Sequence, residues 1–138
     1  MTIPPARRRD LLRAARQASD KAYAPYSGLR VGAALLSRAG DIFVGANVEN
    51  ASFGLTLCAE RAAVAAAVAA GAREFVALAI AADSPEPLSP CGACRQVLAE
   101  FGRDLLIVSA GTKGRSRTWR LKGLLPEVFV YDRPGKAR

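Results

Sequence analysis

Apolar residues recur every three to four positions near the start of the chain, at Leu11, Leu12, Ala15, Ala18 and Ala22, behind Pro4 and Pro5. That period marks one face of a helix, and proline suits a first helical turn, where its missing N–H would have had no partner. A helix is predicted from the prolines to Tyr23. From 29 to 37 and from 42 to 46 β-branched and other apolar residues crowd together, and Arg38-Ala39-Gly40-Asp41 between them has turn chemistry, so the pair reads as a β-hairpin. The polar stretch NVENAS then leads to a second helix, which begins near Cys58 and runs through the alanines to Gly71, a residue suited to the left-handed position past a helix end. Its small apolar side chains predict burial.

Residues 75–82 form a continuous apolar strand, DSPEPLSP a proline-punctuated loop, and CGACRQVLAEFG a third helix stopping at Gly102. A further interior strand is predicted at 105–108, a turn at 111–115 and a short strand at 118–121, with LLPEVF and a basic tail beyond. The order helix, strand, strand, helix, strand, helix, strand, strand predicts an α/β protein with one mixed sheet of five strands covered by helices. No linker or internal repeat divides it. A single domain over 1–138 with a flexible basic tail at 133–138 is expected.

Composition narrows the class. With 51% hydrophobic and 23% charged residues, the chain carries enough apolar surface for a packed core. No apolar run reaches the roughly eighteen residues of a membrane span, and MTIPPARRRDLLRAARQ lacks the apolar core of a signal peptide, so a cytoplasmic protein without a membrane partner is expected. The net charge of +8 invites a nucleic-acid partner through counterion release at phosphates. The charge, however, collects at the two ends, in Arg7, Arg8, Arg9 and Arg13 and again over 113–122 and 133–138, while the middle is nearly neutral. That distribution reads as solvated ends.

The three cysteines change the picture more. An odd number rules out complete internal pairing, and all three lie in two short segments rather than spread as a disulfide framework. Cys58 and the Cys91/Cys94 pair each open a predicted helix, where unpaired N–H groups and the helix dipole favour thiolate. Residues three apart share a helix face, so Cys91 and Cys94 can reach a common ion. With no histidine in the chain, Cys58 is the other soft donor. Three protein ligands leave one tetrahedral position for water, the pattern of catalytic zinc. Spacing alone also allows a redox pair beside a buried thiol, or a structural zinc completed by a carboxylate. Glu60 shifts the balance: it opens a helix of alanine and valine, and a carboxylate two residues from a zinc ligand can act as base on a zinc-bound water.

Cys58-Ala59-Glu60 and Pro90-Cys91-Gly92-Ala93-Cys94 match the ligand-x-Glu and P-C-x-x-C signature of the zinc deaminase superfamily. With AYAPYSGLRVGAAL, NVENASF, CAERAA, SPCGACRQV and LLPEVF, the chain resembles the small cytidine deaminases of nucleoside salvage over about nine-tenths of its length. The resemblance implies a three-layer α-β-α sandwich, one zinc ion per subunit, and a homotetramer whose subunits complete one another's active sites. It implies that Asn47 and Glu49 hold the ribose hydroxyls, a role suited to an amide and a carboxylate. It also places Leu29, Ala59, Phe53 and Phe129 at the substrate, with Phe129 closing the base pocket of a neighbouring subunit. Relatives usually carry phenylalanine where Leu29 stands and often tyrosine where Phe53 stands. Leucine keeps an apolar wall but forfeits ring stacking, on the order of 1 kcal/mol by analogy with aromatic pairs.

Three thiolates around a divalent ion leave the ligand set with a net negative charge, which blunts the metal's acidity. Arg61, three residues after Cys58 and on the same helix face, is the first candidate to compensate, and Arg95 the second. The reading is a hydrolytic deaminase of cytidine or deoxycytidine. Beside it stand deamination of another aminopyrimidine nucleoside or nucleoside antibiotic, deamination of bases within nucleic acid, and a zinc-stabilised binding module without activity.

Overall fold

A computed structural model describes residues 2–132, 134 and 135. The tail expected at 133–138 therefore lies outside the described residues, save for Pro134 and Gly135. Five strands form one sheet in the order β2-β1-β3-β4-β5: β1 is Val31–Ser37, β2 Ile42–Ala46, β3 Phe75–Ala82, β4 Leu106–Ala110 and β5 Ser116–Arg120. All neighbours pair antiparallel except β3 and β4, which are parallel and joined by a crossover through helix α3, Gly92–Ala99. The sheet is mixed, as predicted.

Alternation along the strands makes three layers. Ala34 and Leu36 of β1, Ala77, Ala79 and Ala81 of β3, and Leu106 and Val108 of β4 join Leu11 and Ala15 of helix α1, Pro5–Ser19, on one side. Their neighbours Ala33, Leu35, Leu78, Ile80 and Ile107 join the other side, with Ala59, Ala63 and Ala67 of α2, Ala59–Ala69, and Leu98 of α3. Successive residues of a strand point to opposite faces, so two helical layers can each bury one half of the same strands. The continuous apolar run of β3 is the sequence trace of that double coverage.

Two glycines place α2, one beneath it and one past its end. A Cβ on Gly45 would lie 2.4 Å from the backbone nitrogen of Ala63 and 2.5 Å from the carbonyl oxygen of Ala59, so only glycine in β2 lets the helix backbone lie this close to the sheet. At its far end Gly71 has φ +97°, the left-handed turn past the helix end that the sequence predicted. Burial of α2 is one-sided: Ala63, Val64 and Ala67 are buried, whereas Ala65, Ala66 and Ala69 are exposed. The expected burial therefore holds for one face of the helix, because the sheet covers only the face turned towards it.

The first helix also ends sooner than predicted, at Ser19. Beyond it Tyr23 donates its backbone N–H to the Asn47 carbonyl and bridges Val48, so strand-like pairing recruits residues that helical periodicity had claimed. A one-turn helix η1, Phe53–Leu55, and a short helix α4, Leu121–Leu124, lie within stretches predicted as loop or strand end. Leu121, the core anchor of α4, is almost completely buried. Among the described residues no helix is long and apolar enough to cross a membrane.

Candidate active site

Cys58 and Cys91 occupy the N-cap positions of α2 and α3, and Cys94 sits in the first turn of α3. The two helix starts face each other, and the three Sγ atoms all lie within 4.8 Å of one another. None of the three is in a disulfide. Thiolates at ~2.3 Å from a tetrahedral zinc lie ~3.8 Å apart, so small side-chain adjustments let this set share one ion. The surroundings agree with that fit: Arg61 Nη2 donates to the Cys58 Sγ across 3.6 Å and to the Thr56 carbonyl across 3.1 Å, while its Nε is buried without a partner. Soft sulfur donors, two helix N-termini and a guanidinium make a centre built for zinc-bound thiolates.

The electrostatics divide the thiols. Burial pushes the Cys94 thiol up, and the negative charges of Glu60 and Cys58 push it further. Burial acts on Cys91 in the same direction, but hydrogen bonding from Cys94, Cys58 and Ala93 outweighs it and leaves Cys91 below the ordinary thiol range. Hydrogen bonding to Cys58 raises the pKa of Arg61, so the guanidinium stays charged beside the sulfur.

Glu60 is only 6% exposed. Burial raises its pKa, against the opposing pull of its own backbone N–H, the Cys94 thiol and the charge of Arg61. A buried carboxyl in reach of the Cys94 sulfur and shifted towards neutrality is placed to take up and give back a proton.

The segment carrying Asn47 and Glu49 is pinned beside this centre. Val48 exchanges two backbone hydrogen bonds with Leu57, both 2.9 Å, and Glu49 N–H donates to the Tyr23 carbonyl. Asn47 is buried; its Oδ1 accepts from Val31 N–H at 2.8 Å and its Nδ2 donates to the Leu29 carbonyl at 2.8 Å. Glu49 accepts from the N–H groups of Tyr26 and Ser27 at 2.9 and 3.1 Å and from the Ser27 hydroxyl. These bonds, led by Ser27, hold its carboxyl below the usual carboxylate range. The sequence pointed to neither Tyr26 nor Ser27. Their signal was the PYSG turn preceding β1, legible only once Glu49 is seen to fold back onto it.

Tyr26, Ser27, Glu49, Phe53 and Thr56 line a cavity of about 220 Å³. Tyr26 meets Phe53 edge to face at 5.7 Å, yet Phe53 is 72% exposed and Phe129 73%. Leu29 is half-buried, and Ala59 is fully buried against the sheet. A larger cavity, about 560 Å³, opens at the other end of α2 beside Arg38, Phe43, Arg73 and Glu74, but Glu74 is committed there to Arg38 and no thiol lines it. Arg95 parts company with Arg61. Its guanidinium goes to the carbonyls of Pro90 and Leu124 and the Ser89 hydroxyl, all backbone or neutral groups.

Such a site, at paired helix starts over a mixed sheet, defines the class of the protein. Residues 5–110 match the cytidine and deoxycytidylate deaminase zinc-binding region, and the chain belongs to that family. Among named relatives it is similar to the cytidine deaminase of Halalkalibacterium halodurans, 46% identical over 126 residues covering 91% of this chain and 96% of that one. It is likewise similar to the cytidine deaminase of Mycobacterium tuberculosis, 46% identical over 118 residues and 86% of each chain. The crystal structure of cytidine deaminase from Burkholderia pseudomallei matches with a TM-score of 0.84 and 48% identity, covering 88% of this chain and 98% of that one.

Proposed function

We propose that the chain hydrolyses the exocyclic amino group of cytidine or deoxycytidine, giving the uracil nucleoside and ammonia in pyrimidine salvage in the cytoplasm. The observation that carries this reading is the convergence of three thiols, Arg61 and the buried Glu60 at the starts of α2 and α3. Cys58, Cys91 and Cys94 would hold zinc, which when bound would supply a nucleophile at neutral pH by lowering the pKa of a water molecule. Glu60 takes the proton that this water loses. It passes that proton to the ring nitrogen next to the amino-bearing carbon as the carbon–oxygen bond forms, then carries the proton of the new hydroxyl to the amino group, which leaves as ammonia as the carbon–nitrogen bond breaks and the carbonyl forms. Arg61 offsets the surplus negative charge of the thiolates.

Asn47 keeps a second Nδ2 N–H beyond its bond to Leu29, and Glu49 keeps acceptor capacity beside the cavity, so both can meet sugar hydroxyls. Leu29, Ala59, Phe53 and Phe129 complete the substrate contacts in this reading. The exposure of Phe53 and Phe129 supports a homotetramer in which neighbouring subunits cover them and share active sites. The test is ammonia release by the zinc-loaded protein from cytidine, deoxycytidine, cytosine, a cytidine nucleotide and a single-stranded oligonucleotide. Release from the two nucleosides, little changed by salt, is expected; release from the oligonucleotide alone, or from none, overturns the reading.

A further inference from the structure

The site needs Arg61 at the sulfur, but it leaves Arg95 without a part in the chemistry. Arg95 lies one residue beyond Cys94 on α3, and its guanidinium spends three nitrogens on two separate stretches of chain. Nε donates to the Pro90 carbonyl at 2.8 Å, Nη2 reaches the Ser89 hydroxyl at 3.4 Å, and Nη1 donates to the Leu124 carbonyl at 3.0 Å. The next residue, Gln96, donates from Nε2 to the Phe129 carbonyl at 3.0 Å. Two adjacent side chains of α3 thus hold both ends of the segment from α4 to Phe129.

We propose that Arg95 is a positioning residue that locks the turn presenting Cys91 to the C-terminal segment, so that retention of the metal and docking of α4 are one coupled event. This inference rests on the metal reading above. Pro90 directly precedes Cys91 and has no N–H with which to anchor itself, so beside the packing of its buried ring the bond accepted by its carbonyl fixes the approach of the chain to the first thiol of α3. On the other side, α4 has four residues, too few to be stable alone. Leu124 is its last residue, and the guanidinium satisfies a carbonyl that has no partner within so short a helix. A planar fork of donors meets three acceptors at once; an ammonium on a flexible stem cannot hold the same set. Because the same group contacts both segments, loosening either one weakens the other, and the coupling is reciprocal.

The test compares zinc-loaded wild type, Arg95→Lys and Arg95→Ala for transfer of zinc to a chromogenic chelator, hydrogen–deuterium exchange over 121–131, and kcat and KM for cytidine. Both variants are expected to release zinc faster, Arg95→Ala by about 10- to 100-fold, the range for residues that orient metal ligands, with faster exchange over 121–131. Stripping zinc from the wild type is expected to speed exchange over 121–131 while leaving α1 unchanged. Wild-type zinc release in both variants, or exchange over 121–131 indifferent to zinc in the wild type, overturns the proposal. Should Arg95→Ala fail to fold by circular dichroism, Arg95→Lys with the same readouts decides. A wild type that binds no zinc at all overturns the metal reading and this inference with it, whereas a zinc-loaded wild type beside unaffected variants overturns this inference alone.

Discussion

The starts of α2 and α3 are built alike and used differently. Each helix is N-capped by a cysteine and carries an arginine one turn in, Arg61 three residues after Cys58 and Arg95 four after Cys91. Arg61 turns its guanidinium onto the thiol of its own cap, while Arg95 turns away from the sulfurs to carbonyls and a hydroxyl. The α2 start also holds the buried Glu60, where α3 has a second thiol at Cys94. In the proposed function one helix start supplies the proton carrier and the countercharge; the other supplies two of three thiols for the metal and the framework that holds them. Equal placement on a helix dipole does not give equal roles, because the partners within reach decide what a side chain does.

The largest effect expected on this contrast comes from Cys94→Ala. With one of three thiols gone, zinc content measured by elemental analysis should fall to background and ammonia release beyond detection. Zinc-loaded turnover in that variant would break the claim that α3 carries two ligands. Next is Glu60→Gln, which keeps shape and hydrogen bonding but cannot shuttle a proton. It should keep zinc and lower kcat by roughly 10²- to 10⁴-fold; full activity with full zinc would remove the proposed division of labour.

Arg61→Gln is expected to act more mildly, at about tenfold faster zinc transfer to a chelator, with hydrogen exchange over 121–131 left as in wild type. That second readout separates it from Arg95. Gly45→Ala tests the seat of α2 rather than its chemistry: the added carbon meets backbone atoms, and thermal unfolding should show a loss of about 1–3 kcal/mol. The smallest effect concerns Glu49. Its folded-state pKa is lowered, so its tie to Ser27 stabilises the protein above the ordinary carboxylate range and is lost as pH falls through the lowered value. Glu49→Gln should therefore lower the plateau of a stability–pH profile near neutrality and flatten its acid limb, leaving the most acid end unchanged.

Much of the fold was legible because its signals are local. The apolar run 75–82, the hairpin around Arg38–Asp41 and the stop at Gly71 each follow from a few neighbouring residues, and each stands where the pattern put it. The elements that escaped were held by distant partners. Residues 20–23 lie outside α1 because Asn47 and Val48 pair with Tyr23, and α4 exists because Leu121 enters the core and Arg95 takes the Leu124 carbonyl. The candidate site divides the same way. Cysteine spacing, the lack of histidine and Glu60 beside Cys58 already pointed to the three thiols that the structure brings together and to the carboxyl it buries beside them. The bonds of Asn47 to 29–31, the fold-back of Glu49 onto Ser27 and the separate duties of the two arginines were out of reach.

By itself, then, the sequence determined which side chains could bind a metal and on which helix starts they stand, since helix periodicity and capping act over a few residues. Only the tertiary structure decided that two cysteine-capped helices meet within a sulfur's reach, that Glu60 loses its water, and that Arg61 faces sulfur while Arg95 faces carbonyls. Those outcomes depend on which surfaces the sheet brings together and how much solvent it excludes, and neither is a property of any short stretch of chain.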